Sequence, residues 1–416
     1  MILFSQTTII YIIAAWLAWR FVFRKRFRAP FMLLVSILFI LLQGAPTLLM
    51  HGAFLLCSLL TILAGYNAGR NLAGKTPDQT KVQFIIYIIF AAFPLILFKL
   101  IGVFLTPAAL EYIGSRNPEF DLRFVAPLGL SYLTFRVIAY MIEIRKGRLE
   151  PARLGEYILY VTFWPTLLSG PIERPEPFLR QLRDKPEYTS EDLAVGFSRI
   201  VTGLFKTLVL GVFFLKLAAP IFSMEKQFGP GLFFKISVPG LWLSAIAYYF
   251  HLYLNFSGYS DIAIGLSRIF GYKIRENFQW PFLATNIADF WRRWHMSLTG
   301  WITDYVYYGL GGNRRGLKIA ARNTLAAMIL VGVWHGLALH FIAWGLYHAI
   351  CLIIYRWWRK SGRGKLNIPD NAMTKFASWA LTFVVVTIGW MLFALPTFTA
   401  LPVILKMTFG ALMAIF

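Results

Sequence analysis

Charge is what this sequence has least of. Only 14% of its 416 residues are Asp, Glu, Lys or Arg, against about 25% in soluble domains. A globular surface cannot be covered with so little charge, so an ordinary soluble enzyme is excluded. Acidic residues are scarcer still, 19 against 41 Lys and Arg, a formal net of +22. In a soluble chain that excess would point to nucleic acid. In a chain 58% hydrophobic, with a mean hydropathy of +0.62, it points instead to cytoplasmic loops and anionic lipid headgroups. Membrane lipids are therefore expected partners, and nucleic acid is not. Cysteine is nearly absent. Cys57 and Cys351 both stand in apolar runs, where a thiol behaves as a small hydrophobe, so neither a disulfide framework nor a cysteine metal site is expected. A cleavable signal is not expected either. Apolar Ile9 to Trp19 comes first, and Arg20, Arg24, Lys25, Arg26 and Arg28 follow it, the reverse of a signal peptide. The first segment is expected to stay as an anchor.

Long apolar runs are what is present. They fall near 4–19, 31–50, 52–67, 83–106, 124–144, 156–170, 196–222, 236–270, 324–340, 341–358, 376–395 and 399–416. Crossing a bilayer by helix takes about 20 apolar residues, and strand-length alternation is absent, so the expectation is helical. The run at 156–170 is short, contains Pro165 and ends in Leu-Leu-Ser-Gly-Pro. It reads as a re-entrant element. With it entering and leaving on one face, a single orientation puts every major basic cluster inside: Arg20–Arg28; Arg70, Lys75 and Lys81; Arg145, Lys146, Arg148 and Arg153; Arg174, Arg180, Arg183 and Lys185; Arg314, Arg315, Lys318 and Arg322; Arg356, Arg359, Lys360, Arg363 and Lys365. The outside loops are then 107–123 and 223–234. The expected fold is an all-α polytopic membrane protein of about 11 transmembrane helices, with re-entrant and interfacial helices enclosing a central funnel. It is expected to be one integral membrane domain over 1–416, with N-terminal helices at 1–123, a motif-bearing core at 124–358 and C-terminal helices at 359–416.

The stretch from Lys273 to Arg322 breaks the pattern. It is too polar to span, yet it holds Trp280, Trp291, Arg292, Arg293, Trp294 and Trp301. On a helix from Ile287, Phe290, Trp294, Leu298 and Trp301 form one stripe, with the arginines and Asp304 off it. Such a helix lies in the interface or packs at the mouth of a cavity.

Two of the six histidines stand out. His335 lies deep in an apolar run between Gly332 and Gly336, small residues that would let another helix or a substrate come close. His295 stands in Phe-Trp-Arg-Arg-Trp-His-Met-Ser. An ionisable group in a membrane segment is costly unless paired or functional, and a low dielectric keeps imidazole neutral and able to accept a proton. A hydrogen-bonded packing histidine is an equally good account of His335 from spacing alone. His51, His251, His340 and His348 read as core residues. No H-x-x-x-H, H-E-x-x-H, G-x-S-x-G or P-loop pattern occurs, so a metal site, a serine-hydrolase elbow and nucleotide-driven transport are not expected. The glycine-rich basic loop Gly311–Gly316 could hold an anion or be a plain turn. Asp261 and Glu173 read as carboxylates paired with nearby arginines.

A family likeness lies in ordered motifs. These are Gly129-Leu130-Ser131-Tyr132, Ser169-Gly170-Pro171-Ile172, Gly203-Leu204-Phe205-Lys206 and Phe256-Ser257-Gly258-Tyr259-Ser260-Asp261. Further on come Glu276-Asn277-Phe278, Phe290-Trp291-Arg292-Arg293-Trp294-His295-Met296-Ser297-Leu298 with Trp301, Asp304 and Tyr305, then Leu310-Gly311-Gly312-Asn313-Arg314 and Trp334-His335-Gly336. Together they resemble the bacterial membrane-bound O-acyltransferase (MBOAT) family over about residues 127–350. Phe-Ser-Gly-Tyr-Ser-Asp and Leu-Gly-Gly-Asn-Arg are similar to the alginate and polysaccharide O-acetylase branch. The length, Ser-Tyr-Leu-Thr-Phe-Arg and Gly-Pro-Ile-Glu-Arg are similar to the D-alanyl transfer branch of teichoic acid modification.

The resemblance implies a multi-pass enzyme of the bacterial plasma membrane that moves an acyl group onto a hydroxyl. It maps the family's invariant membrane histidine onto His335 and its motif histidine onto His295. Candidate substrate-binding residues are Trp294, Arg292, Arg293, Asn313, Arg314, Asp261, Ser257 and Trp334. The expected donor is an acyl thioester, on an acyl carrier protein's phosphopantetheine or on coenzyme A, used as substrate with no bound cofactor. The expected acceptor is a cell-envelope polymer or an extracytoplasmic acyltransferase partner. The rival from another class is a transporter or flippase. It lacks support from internal repeats with paired broken helices.

Overall fold

The computed structural model describes residues 6–42, 48–104, 129–184, 189–218, 238–314, 316–360 and 371–394. Lys185, Arg315, Arg363, Lys365, the loops 107–123 and 223–234 and the apolar stretch 399–416 lie outside the described residues. Among those described, every regular element is helical. Six helices are long and apolar enough to cross a membrane: His51–Leu72, Lys81–Leu100, Ser190–Ala218, Leu317–His335, Leu339–Lys360 and Ala372–Ala394. Two shorter apolar helices, Thr8–Val22 and Arg28–Leu42, precede them. Val238–Ile269 is a 32-residue helix that carries His251, Asp261 and Arg268 along its length.

Close contacts divide the chain into two compact units, Met1–Ile200 with Ile262–Arg275, and Val201–Asp261 with Glu276–Phe416. In the first unit, the apolar run at 156–170 folds as a nine-residue helix, Leu154–Thr162, then a single 3-10 turn at Trp164–Thr166. Nine residues rise about 14 Å, half of a hydrocarbon core and too short to cross it. Its broken end exposes carbonyls that need partners, and the fully buried Arg136 supplies them. The guanidinium donates to the carbonyls of Tyr160, Val161, Phe163 and Thr166 and to Thr166 Oγ1. A buried cation is thus compensated chiefly by backbone oxygens. Glu173 is paired as expected, with Arg275 at 3.7 Å, and it accepts from the Arg275 amide at 3.0 Å.

The second unit holds both motif histidines. The first of its helices used below is α1 (Ile287–Arg293), followed by α2 (Met296–Trp301), α3 (Leu317–His335), α4 (Leu339–Lys360) and α5 (Ala372–Ala394). α3 and α4 are joined by three residues and pack tightly through reciprocal glycines. A Cβ at Gly332 would lie 2.4 Å from the Phe341 carbonyl oxygen, and one at Gly345 would lie 2.4 Å from that of Met328. The glycines beside His335 therefore serve the approach of a helix; Gly336 similarly faces the Phe341 ring.

Candidate active site

The single amphipathic helix expected from Ile287 is corrected here. α1 ends at Arg293, Trp294 is extended, and His295 adopts a left-handed backbone, φ 42° and ψ 52°, before α2 begins. The cause is a competing set of hydrogen bonds from the segment 277–279. The Met296 amide donates to the Asn277 carbonyl at 2.9 Å, and the Gln279 amide donates to the Arg293 carbonyl at 3.0 Å. These take groups that a continuous helix would have used itself. The apolar stripe survives the break, because Phe290, Trp294, Leu298 and Trp301 are all buried. α1 is capped in the ordinary way, with Asn286 Oδ1 accepting from the Asp289 amide at 2.8 Å.

The break points the His295 ring inward. The residue is 2% exposed, and its ring lies 4.7 Å from Phe256 and 6.2 Å from Trp334, centroid to centroid. Burial pushes its pKa down to about 3, helped by the His335 imidazole nearby, so the ring is neutral at any physiological pH. His335 is the last residue of α3, half-buried, with Trp334 at 4.6 Å, Phe393 at 4.9 Å and Trp344 at 5.3 Å. Two imidazoles and their aromatic neighbours thus form one cluster.

A cavity of about 240 Å³ opens within this unit. Val331, Met328, Ala327 and Thr324 line one wall. They sit four, seven, eight and eleven residues before His335, the spacing of one helical face. At 1.5 Å per residue, Thr324 is roughly 16 Å from His335 along α3. Trp291 and Arg292 from α1, and Arg356 from α4, face the same space. Arg356 Nη1 donates to Tyr307 Oη at 2.9 Å and Thr324 Oγ1 at 3.0 Å.

The other expected site residues are dispersed more than the motif order suggests. Arg292 and Arg293 both pair with Asp289, at 3.2 and 2.9 Å, and only Arg292 reaches the cavity. Trp294 stacks against Phe290 and packs on Trp390, 4.6 Å away. Asn313 and Arg314 are exposed at the glycine turn. That turn is held from α3 by the buried Asn323, whose Nδ2 donates to the carbonyls of Leu310 and Gly312. Asp261 is ion-paired at 2.7 Å, with Lys206 rather than an arginine. Ser257 is buried on the same helix, next to Gly258, where a Cβ would lie 2.7 Å from the Gly203 carbonyl oxygen.

Two residues escaped sequence reasoning. Arg356 reads as one more charge in a cytoplasmic cluster, and nothing marks it as facing inward. Asn277 stands in a motif, but no spacing ties it to His295, 18 residues on.

This is a helical membrane-type protein whose two motif histidines share one aromatic cluster, with a cavity lined by the helix that ends on His335. Residues 32–384 match the membrane-bound O-acyltransferase family, and the chain belongs to it. A "Probable alginate O-acetylase" of Pseudomonas putida is 34% identical over 64% of this chain and 52% of its own length. A "Peptidoglycan O-acetyltransferase" of Helicobacter pylori is 32% identical over 65% of the chain and 54% of its own length. The chain therefore spans about half the length of these O-acetylating relatives. A "Teichoic acid D-alanyltransferase" of Bacillus subtilis is 31% identical over 89% of the chain and 91% of its own length. Both branches suggested by the motifs are represented.

Proposed function

We propose that this chain is a multi-pass O-acyltransferase of the bacterial plasma membrane, with about eleven spans around a central funnel. It moves an acetyl or D-alanyl group from a cytoplasmic thioester to a hydroxyl of a cell-envelope polymer, or of an extracytoplasmic partner that passes it on. The observation that carries this reading is the cavity along α3, which has Arg292 and Arg356 in its lining and is borne by the helix that ends on His335. A thioester on a phosphopantetheine arm or coenzyme A carries phosphate at one end and the acyl group at the other. Arg292 and Arg356 suit the phosphate, and the apolar wall suits the arm.

His335, one helical turn beyond the lining residue Val331, acts as general base. It takes the proton of the attacking hydroxyl, the oxygen bonds to the thioester carbonyl carbon, and the C–S bond breaks. The thiolate then recovers the proton from His335. The rings of Trp334, Trp344 and Phe393 around His335 restrict water, which would otherwise hydrolyse the thioester. Base catalysis of this kind is typically worth ~100- to 10,000-fold. The test is His335→Ala in proteoliposomes supplied with radiolabelled acetyl-coenzyme A and, separately, D-alanyl carrier protein. The variant is expected to keep normal membrane levels and monodispersity and to lose transfer by at least ~100-fold. Near wild-type transfer would remove His335 from the mechanism. Substrate carried across the bilayer unchanged would indicate a transporter.

A further inference from the structure

His295 has two ring nitrogens, and its hydrogen bonds decide which one carries the proton. Asn277 is fully buried, and one atom of its side-chain amide meets three neighbours. It lies 3.2 Å from the Ser297 backbone nitrogen, 2.9 Å from Ser297 Oγ and 3.0 Å from His295 Nδ1. A backbone N–H can only donate, so the amide atom facing it is the oxygen, Oδ1. The other end agrees, since Nδ2 donates to Ser260 Oγ at 3.0 Å. An amide oxygen can only accept, so His295 Nδ1 must carry the hydrogen. The ring is neutral, and a neutral imidazole has one N–H. Nε2 is left with its lone pair, buried and without a hydrogen-bond partner among the described residues.

The backbone adds an independent constraint. His295 is the N-cap of α2 but makes no side-chain cap. Asn277 replaces it, accepting from the Met296 amide through its carbonyl and from the Ser297 amide through Oδ1. One residue therefore caps α2 and holds the His295 ring. The left-handed backbone at His295, which residues with a side chain rarely adopt, is the conformation those bonds sustain.

We infer that Asn277 is a positioning residue that fixes His295 as the Nδ1–H tautomer and presents its Nε2 lone pair to the substrate. This rests on the acyl-transfer reading for its use, but not for its geometry. One chemical consequence is sharp. Nε2 can receive a hydrogen bond and cannot give one, so His295 is not a donor to the oxyanion of the tetrahedral intermediate. The group it meets must itself carry hydrogen: the acceptor's hydroxyl, or an amide N–H of a pantetheine-like arm.

Solid-state NMR of protein labelled with 15N-histidine in liposomes, with His295→Gln to identify the signal, reads the tautomer directly. The expected spectrum at neutral pH has a protonated Nδ1 and a bare Nε2. A protonated Nε2 with a bare Nδ1 overturns the proposal. Kinetics supply the second arm. Asn277→Asp keeps an acceptor in the same place and is expected to retain at least a tenth of wild-type kcat. Asn277→Leu removes it and is expected to lose roughly 10- to 100-fold in kcat, the usual size of an orienting-residue effect, with donor KM changed less than threefold. Near wild-type kcat in the leucine variant, or loss in the aspartate variant as deep as in the leucine one, overturns the assignment. Should the leucine variant fail to fold, the wild-type spectrum and the aspartate kinetics still decide it. Wild-type protein that transfers from neither donor would instead sink the acyltransferase reading, with the tautomer still decided by its own spectrum.

Discussion

At the scale of single residues, a buried neutral histidine leaves a signature in stability. An unfolded chain binds a proton at His295 below about pH 6.5, whereas the folded protein does so only near its lowered value of about 3. Between those limits the unfolded state holds more protons, so stability falls as pH falls. The full contribution is present above about pH 6.5, and up to about 1.4 kcal/mol per pH unit is lost below it. The apparent melting temperature of the wild type should drop between pH 6.5 and 4 more steeply than that of His295→Gln. Parallel curves would contradict the burial of a neutral ring. Arg356 gives a second residue-level prediction. Hydrogen bonds to charged groups are worth about 1.5–3 kcal/mol, so Arg356→Ala should raise donor KM roughly 10- to 100-fold with kcat little changed. A kcat effect without a KM effect would take Arg356 away from the donor.

At the scale of elements, close approach between helices depends on glycine. In the first unit, Gly265 on Val238–Ile269 meets Ser190–Leu204. A Cβ there would lie 2.5 Å from the Gly196 carbonyl oxygen and 3.0 Å from the Ile200 amide nitrogen. Backbone atoms cannot swing aside, so the helices would have to part. Gly265→Val should lower stability by about 1–3 kcal/mol or more, seen as a lower apparent melting temperature. Gly52, helical with nothing within 4 Å, is the counter-case: Gly52→Ala should stabilise by roughly 0.5–1 kcal/mol. Both glycines look alike in the sequence. The helix at 287–301 shows the converse limit. Its periodicity correctly identified the buried residues Phe290, Trp294, Leu298 and Trp301, but periodicity is blind to a competing partner. The bonds from Asn277 and Gln279 split the helix at His295, and no local signal in the sequence announces them.

At the scale of the whole molecule, the excess of positive charge predicts an orientation with the basic clusters inside. In a background of Cys57→Ala and Cys351→Ala, R314C in spheroplasts should resist an impermeant thiol reagent and react only after lysis. Labelling from outside would invert the topology. What the sequence determined by itself was the helical membrane-type class and the family, and it singled out the two histidines for attention. Those follow from hydropathy, charge and ordered motifs, properties that each residue carries wherever it is placed. Only the tertiary structure decided that Asp261 pairs with Lys206, that Arg356 turns into a cavity, and that Asn277 holds His295. Each of these joins residues 18 to 55 positions apart, or from different helices, and a hydrogen bond depends on distance and direction in space, which spacing along a chain does not specify.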